Sequence, residues 1–331
     1  MRKIKVAQIG VNRLSHGKDI FKTMKKFPEV FEIAGYCLVE GENYEESIRM
    51  LEGYPELTLD EILNDESIEA VTVETDEIHL TKYAIMAAQH GKHIHMEKPG
   101  GVSLPDFEKL IALVKEKNIV FHTGYMYRYN PYISDAIDRA VSGDLGEIIS
   151  VEVQMNCTHN KENRQWLECM PGGMMFYLGC HLVDIVYRIQ GKPNKVIPLN
   201  RSSGISGVTS DDFGMAVLEY PHGVSFVKTT AVEVGGFHRR QLVISGSKKT
   251  IEIRPLEVMI PEKDYKLYTE KCECSSESWH AEAAKSRMDL HDRYENMMLS
   301  FASMVRGEKN NPYTPDYELE LFKLILECCG K

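Results

Sequence analysis

Lys98 stands in the run His95-Met96-Glu97-Lys98-Pro99-Gly100, directly after a short apolar segment that reads as a buried strand. Redox chemistry at a secondary hydroxyl needs a cation held against the reacting oxygen. A lysine at a strand's end supplies one, and the Pro99 ring fixes the next φ at about −65°, which limits how far the backbone wanders. An ammonium in that place stabilises a developing alkoxide. Glu-Lys-Pro alone describes a surface turn equally well, so the elements around Lys98 decide its meaning.

Through residue 123 the chain alternates strand-like and helix-like segments, the pattern of a parallel α/β sheet. Ile4, Val6, Ala7 and Ile9 form a near-continuous apolar run closed by Gly10, and Ile20, Phe21, Met24 and Phe27 recur at helical spacing. Residues 31–39, 70–73, 93–96 and 119–123 read as further strands. Helices are expected over 78–91, closed by Gly91, and over 103–117, with Thr58 and Glu61 as a capping box for a shorter one. After Gly124 a helix over 130–141 precedes strands at 148–155, 213–220, 224–232, 242–245 and 250–253, and helices over 290–305 and 316–328 close the chain. The expectation is a dinucleotide-binding α/β domain over 1–123 and an α+β domain with a largely antiparallel sheet over 124–331. Segment 264–285 is polar and poorly patterned, and reads as an exposed loop.

The segment Gly10-Val11-Asn12-Arg13-Leu14-Ser15-His16-Gly17 lies where such a sheet presents a helix amino terminus to a pyrophosphate. Gly10 fits the first glycine of the fingerprint, while Asn12 and Ser15 hold the second and third places. Asn tolerates the left-handed backbone better than most residues, so the tight turn survives, although its side chain crowds the approach of a phosphate. A plain strand-to-helix turn is the alternative. The acidic residue expected at the end of the second strand is replaced by Leu38, with Glu40 two residues on. A carboxylate there repels a 2′-phosphate and favours NAD over NADP. Arg13, beside the loop, is suited to face a phosphate instead.

Composition narrows the partners. The 331 residues suffice for two domains, and 43% hydrophobic with 27% charged residues is ordinary for a globular chain. A net charge of −10 without a Lys/Arg block argues against nucleic acid, whose phosphates need a basic surface. Eight cysteines lack metal-binding spacing, as Cys272 and Cys274 are two apart and Cys328 and Cys329 adjacent, so free thiols in a reducing cytoplasm are expected. His159, His181, His280 and His291 share no compact ligand spacing, and no metal is expected. No stretch approaches the ~18 apolar residues of a membrane helix, and the amino terminus shows no apolar leader, so the expectation is a cytoplasmic protein without a membrane partner.

With these segments in order, the chain resembles the Gfo/Idh/MocA family, mostly sugar and cyclitol dehydrogenases, over essentially its whole length. The likeness rests on residues 4–17, on Gly91-Lys92-His93-Ile94-His95-Met96-Glu97-Lys98-Pro99, on Gly124-Tyr125-Met126-Tyr127-Arg128-Tyr129-Asn130-Pro131, and on Gly172-Gly173-Met174-Met175-Phe176-Tyr177-Leu178-Gly179-Cys180-His181-Leu182-Val183-Asp184. The resemblance implies a Rossmann domain followed by an open-faced α/β domain. It implies that Lys98 contacts the reacting hydroxyl and that His181 is the general acid/base, a role that suits a residue titrating near neutral pH. One departure stands out: the family commonly carries Asp four residues before this His, where this chain has Tyr177. Tyr donates a hydrogen bond but supplies no charge. Either Tyr177 binds substrate or shuttles a proton, or Asp184, three residues after His181, orients the histidine or marks the floor of the site, or catalysis is weakened.

Further candidates follow from the same comparison. His79 stands where the family often carries a His near the cofactor. Glu74 occupies a position usually Thr, and either bonds the nicotinamide ribose or faces solvent. Leu14 and Glu97 complete the expected cofactor contacts. Tyr125 and Arg128 belong to the third stretch, which the resemblance associates with cofactor and substrate. Trp166 is suited to stack on a sugar's apolar face, and equally to a core; Arg164 and His159 are placed beside it. The resulting expectation is NAD(H)-dependent hydride transfer at a secondary alcohol or ketone of a sugar, glycoside or cyclitol. Its rivals are a redox-neutral enzyme that keeps its NAD and a sugar-responsive regulator that lost the chemistry. By analogy with the family, a homodimer or homotetramer is expected.

Overall fold

The computed structural model describes residues 2–12, 14–42, 44–275, 278–279 and 281–331. They fall into two compact units, Met1–Met126 with Tyr294–Phe322, and Tyr127–Arg293 with Lys323–Lys331.

In the first unit β1 (Ile4–Ile9), α1 (Gly17–Lys26), β2 (Phe31–Cys37), α2 (Glu45–Arg49), α3 (Leu59–Asn64), β3 (Ala70–Val73), α4 (Leu80–Gln89), β4 (His93–Met96), α5 (Leu104–Lys117) and β5 (Phe121–Thr123) alternate. The five strands run parallel in the order β2-β1-β3-β4-β5. β1, β3, β4 and β5 are buried nearly throughout, as a parallel sheet requires, which is why they read as unbroken apolar runs. Local chemistry sets the helix ends. Thr58 and Glu61 close a capping box on α3, the Ser103 hydroxyl accepts from Asp106 N–H, and Asn118 ends α5 in the left-handed region at φ 51°. Strand order reverses between β1 and β3, so the carboxyl edge there is a topological switch point, where such sheets take their ligands.

The second unit holds α6 (Pro131–Val141), β6 (Ile148–Asn156), α7 (Lys161–Trp166), α8 (Cys180–Gln190), β7 (Lys195–Pro198), β8 (Phe213–Tyr220), β9 (Gly223–Thr230), β10 (Gln241–Gly246), β11 (Thr250–Ile253), β12 (Val258–Ile260), β13 (Lys266–Tyr268), β14 (Glu270–Cys274) and β15 (Ala284–Arg287). Its main sheet has the order β15-β14-β11-β10-β6-β9-β8-β7. Every pairing in it is antiparallel except β6 with β9. α8 lies on β6 and β9, against the face where Gly214, Ala216, Leu218 and Val227 are buried. Segment 264–285 is the expected loop only in part. It contributes β13, β14 and the start of β15, and Lys271–Glu273 align with Ile253–Ile251 of β11. Its charges hid its period, yet β14 is paired on both sides, with β11 and with β15.

α9 (Glu295–Val305) and α10 (Pro315–Cys328) close the chain. α9 and the first part of α10 belong to the first compact unit, although they lie far beyond residue 123. The reason is packing: Phe301 stacks on His122 of β5 at 5.4 Å between centroids, and Glu318 accepts from the Thr123 hydroxyl at 2.7 Å. No helix among the described residues is long and apolar enough to cross a membrane.

Candidate active site

At the switch point Gly10 leaves β1 with φ +83°, and a Cβ on it would lie 2.6 Å from Thr75 Cγ2, so glycine alone fits. Asn12 does not adopt the left-handed backbone; the loop turns because its Oδ1 accepts Leu14 N–H at 2.8 Å while its own N–H bonds the Glu74 carbonyl at 3.1 Å. The Ser15 hydroxyl bonds the carbonyls of Asn12 and Glu74 and accepts Gly17 N–H at 3.2 Å. Gly17 opens α1, and a Cβ there would meet Glu74 Cβ at 2.8 Å. Two carboxylates occupy loop amides as an anion would: Glu42 accepts Val11 N–H at 2.9 Å, and Glu97 accepts His16 N–H at 3.2 Å and faces His16 Nδ1 at 2.9 Å. Bare glycine backbone and amides that already seek anions fit a pyrophosphate. Arg13 lies outside the described residues.

Glu40 follows β2 with φ +53°, and its carboxylate accepts from Lys82 Nζ at 2.6 Å and Tyr83 OH at 2.7 Å, with His79 Nδ1 at 3.7 Å. The Lys82 and Tyr83 bonds hold Glu40 below the usual carboxylate range. Glu42 is the acid that reaches the glycine loop, and burial pushes it up to about 7 despite the amides of Val11 and Val39.

Lys98 follows the last residue of β4 by two, with only 1% of its surface exposed. Its Nζ is 3.8 Å from Glu97 Oε1, which also accepts Lys98 N–H at 2.9 Å. Burial opposes ionisation of Glu97, but His16 and Lys98 overcome it and hold the carboxyl well below its ordinary value. Two more buried acids share this neighbourhood. Glu74 lies 3.6 Å from His95 Nε2, and burial with the charge of Glu97 holds it well above the carboxylate range. Both oxygens of Glu77 are buried without a hydrogen-bond partner among the described residues, and burial pushes it up to about 8. These shifts favour the negative charge on Glu97, beside Lys98, and the protonated form of Glu74 and Glu77. Behind them Gln8, Thr72, His95 and His122 form one cross-strand row, and the Nδ1 atoms of His95 and His122 are 2.7 Å apart, so one donates and the other accepts. Burial pulls His95 down to about 4, which keeps it neutral.

In the second unit Gly172 and Gly173, at φ +75° and +53°, bring the chain against Cys329 and Asp211. One π-helical turn, Met175–Gly179, then runs into α8 and sets the angular spacing of Tyr177 and His181. Such wide turns recur at functional sites. His181 is buried, its ring edge-on to Tyr127 at 5.6 Å. Tyr177 meets Trp166 edge-on at 5.3 Å and His159 at 6.3 Å. Tyr127 OH donates to Glu257 at 3.2 Å, and Arg240 Nη1 and Arg293 Nε reach the same carboxylate at 2.9 and 3.1 Å. Burial works against the Glu257 charge, and the two arginines outweigh it.

The structure thus gathers Tyr177, Trp166 and His159 in one group and sets Tyr127 against His181. Arg164 is anchored elsewhere, bonded to Asp212 and to the Ile205 carbonyl, both at 3.0 Å. Asp184 is gripped by Arg128. Tyr125 is buried in the first unit, just past β5. Sequence reasoning passed over Glu42, Glu77, Arg240, Glu257 and Arg293. Glu77 had a signal, since it shares a loop with Glu74 and His79; Arg240, Glu257 and Arg293 stand outside every motif.

Residues 4–125 match the family profile described as oxidoreductase family, NAD-binding Rossmann fold, and residues 134–252 match the GFO/IDH/MocA C-terminal domain. Among curated relatives, 2,7-anhydro-N-acetylneuraminate hydratase of Escherichia coli K12 is 26% identical over 66% of this chain and 60% of its own length. The uncharacterized oxidoreductase YhhX of the same strain is 32% identical over 52% of this chain and 49% of its own. The chain thus spans half to three fifths of the length of these relatives. A 3-ketoreductase from Actinomadura kijaniata, solved with NADP and TDP-benzene, superposes with a TM-score of 0.79 at 16% identity, covering 98% of this chain and 96% of that one. Profile matches over residues 4–125 and 134–252, on a switch-point sheet with a glycine cradle and a buried lysine past the end of β4, place the chain in the Gfo/Idh/MocA family of NAD-binding oxidoreductases.

Proposed function

We propose that the chain transfers a hydride between NAD(H) and a secondary alcohol or ketone of a carbohydrate or cyclitol. The observation that carries this reading is Lys98, a buried ammonium at the carboxyl end of β4, beside the ionised Glu97 in an NAD-binding sheet. Gly10, Gly17 and the Val11 amide would hold the pyrophosphate, and the Glu40–Glu42 corner after β2 would take the adenosine ribose, which favours NAD over NADP. A bound nicotinamide supplies the hydride acceptor and donor. Lys98 Nζ donates to the reacting oxygen and stabilises its charge as it develops. His181 takes the hydroxyl proton in oxidation and returns it in reduction. Trp166 offers an apolar face to a sugar ring, and Tyr177 a hydroxyl donor.

The test is absorbance at 340 nm of purified protein supplied with NAD+ and a panel of sugars, glycosides and inositols. Growth with one compound supports the reading. Firm cofactor binding with no compound ever reduced or oxidised would remove it.

A second reading is favoured by the hydratase relative, because adding water leaves no net hydride on the cofactor. In that case one panel compound is consumed while absorbance at 340 nm returns to its starting value.

A further inference from the structure

We propose that the substrate carries a carboxylate, bound by Arg240 with His159 beside it; this rests on reading the second unit as the substrate-binding half. Arg240 immediately precedes β10, and three contacts fix its guanidinium. It lies over the Phe237 ring at 4.0 Å from the centroid, Nε donates to the Asn156 carbonyl at 3.4 Å, and Nη1 donates to Glu257 at 2.9 Å. Nη2 makes no hydrogen bond among the described residues. A guanidinium held on one side with a nitrogen left over is preorganised for an oxygen ligand.

The charge balance points the same way. Arg164 has Asp212 and Arg128 has Asp184, each in a buried ion pair. Arg240 shares its carboxylate, Glu257, with Arg293, and Tyr127 donates to it as well. A buried cation that shares its counter-ion is incompletely compensated, and an incoming anion lowers that cost. The protein as a whole has a net charge of −10, so an under-neutralised buried guanidinium is not a by-product of a basic surface.

His159 supplies the second donor. Its Nε2 is buried and has no hydrogen-bond partner among the described residues. Burial, and then the charge of Arg240, hold the ring below the usual histidine range, so it is neutral at pH 7 and offers one N–H. Arg240 Nη2 and this N–H match the two oxygens of a carboxylate better than the three of a phosphate ester. The position suits the chemistry: His159 faces Tyr177, while Tyr127 connects Glu257 to the His181 ring. The substrate class is a hydroxylated sugar acid, with its carboxylate next to the groups proposed to move the proton.

The test is isothermal titration of the NAD+-saturated full chain with glucuronate, galacturonate and N-acetylneuraminate, each against its methyl ester, and with glucose 6-phosphate. At least one acid should bind ten-fold or more tighter than its ester. Arg240→Gln should bring that ratio towards one, and Arg240→Lys, which keeps the charge without the fork, should leave an intermediate ratio. If Arg240→Gln does not fold, His159→Phe is read for the same loss. No preference for any acid, a ratio that survives Arg240→Gln, or tighter binding of the phosphate would overturn the proposal. A neutral sugar that reduces NAD+ without any acid preference leaves the dehydrogenase reading and removes this one. An Arg240-dependent acid preference with no change at 340 nm does the reverse.

Discussion

Arg128 and Asp184 meet through a forked ion pair: Nε lies 3.2 and 3.1 Å from the two carboxylate oxygens, Nη2 lies 2.9 Å from Oδ1, and each side chain is 1% exposed. The pair ties the segment before α6 to the second turn of α8, one turn beyond His181. Breaking a buried pair from one side strands the other charge, at a cost of about 3–5 kcal/mol. Asp184→Asn should therefore lower the denaturant midpoint of the full chain strongly. Arg128→Met combined with Asp184→Leu should restore much of it. If the single variant melts like wild type, the pair is not the brace described.

Gly10 makes a sharper claim about the cofactor cradle. Alanine there meets both a positive φ, costing ~1–2 kcal/mol, and the Thr75 side chain at 2.6 Å. Gly10→Ala should weaken NADH binding at least ten-fold in a fluorescence titration. Unchanged affinity would mean that the dinucleotide does not lie against this loop.

Much of this was legible in the sequence, for reasons that separate residue from residue. β1, β3 and β4 announce themselves because a strand buried on both faces has no polar period to break. Thr58 reads as a cap because its oxygen answers the amide of Glu61 three residues on, a local interaction. β14 was obscured because what makes it a strand is β11, a partner some 20 residues away. The Asn12 turn was misjudged in the same way: a side-chain bond to Leu14 replaced the positive φ expected of it. Arg240 was invisible because its meaning lies in sharing Glu257 with Arg293, and no spacing encodes a shared counter-ion.

The buried acids of the first unit should set a pH dependence. Glu42 and Glu77 have folded pKa values raised to about 7 and about 8, both by burial. A raised carboxyl binds more protons folded than unfolded, so its contribution is present below the unfolded pKa of about 4.3 and is lost as pH rises through the folded value. Between about pH 4.5 and about pH 8 these groups should make stability fall. Glu97 is lowered and acts oppositely, its contribution fading only in strong acid. Glu77→Gln should match wild type near pH ~4.5 and be the more stable protein near pH ~9, by a few kcal/mol at about 1.4 per pKa unit. Denaturant midpoints of the two proteins across that range decide it, and parallel curves would show that Glu77 is not held neutral.

Lys98 and His181 carry different parts of the proposed reaction and should fail differently. Lys98→Met keeps much of the volume and removes the ammonium, so substrate oxidation should slow by roughly 10²–10³-fold, the scale of losing one preorganised donor to a developing oxyanion. NADH affinity should move far less. His181→Asn keeps a polar side chain but removes the titrating group. Its turnover should fall by about 10²–10⁴-fold and lose the limb of the pH profile that the imidazole supplies. In the oxidation direction the missing base should be partly rescued by added imidazole, whereas Lys98→Met should not respond to it. Single-turnover absorbance at 340 nm, taken from pH ~5 to ~9 with and without imidazole, separates the roles. If Lys98→Met turned over at the wild-type rate, the strand-end ammonium would not touch the reacting oxygen, and the buried Lys98–Glu97 pair would be a packing element of the sheet edge alone.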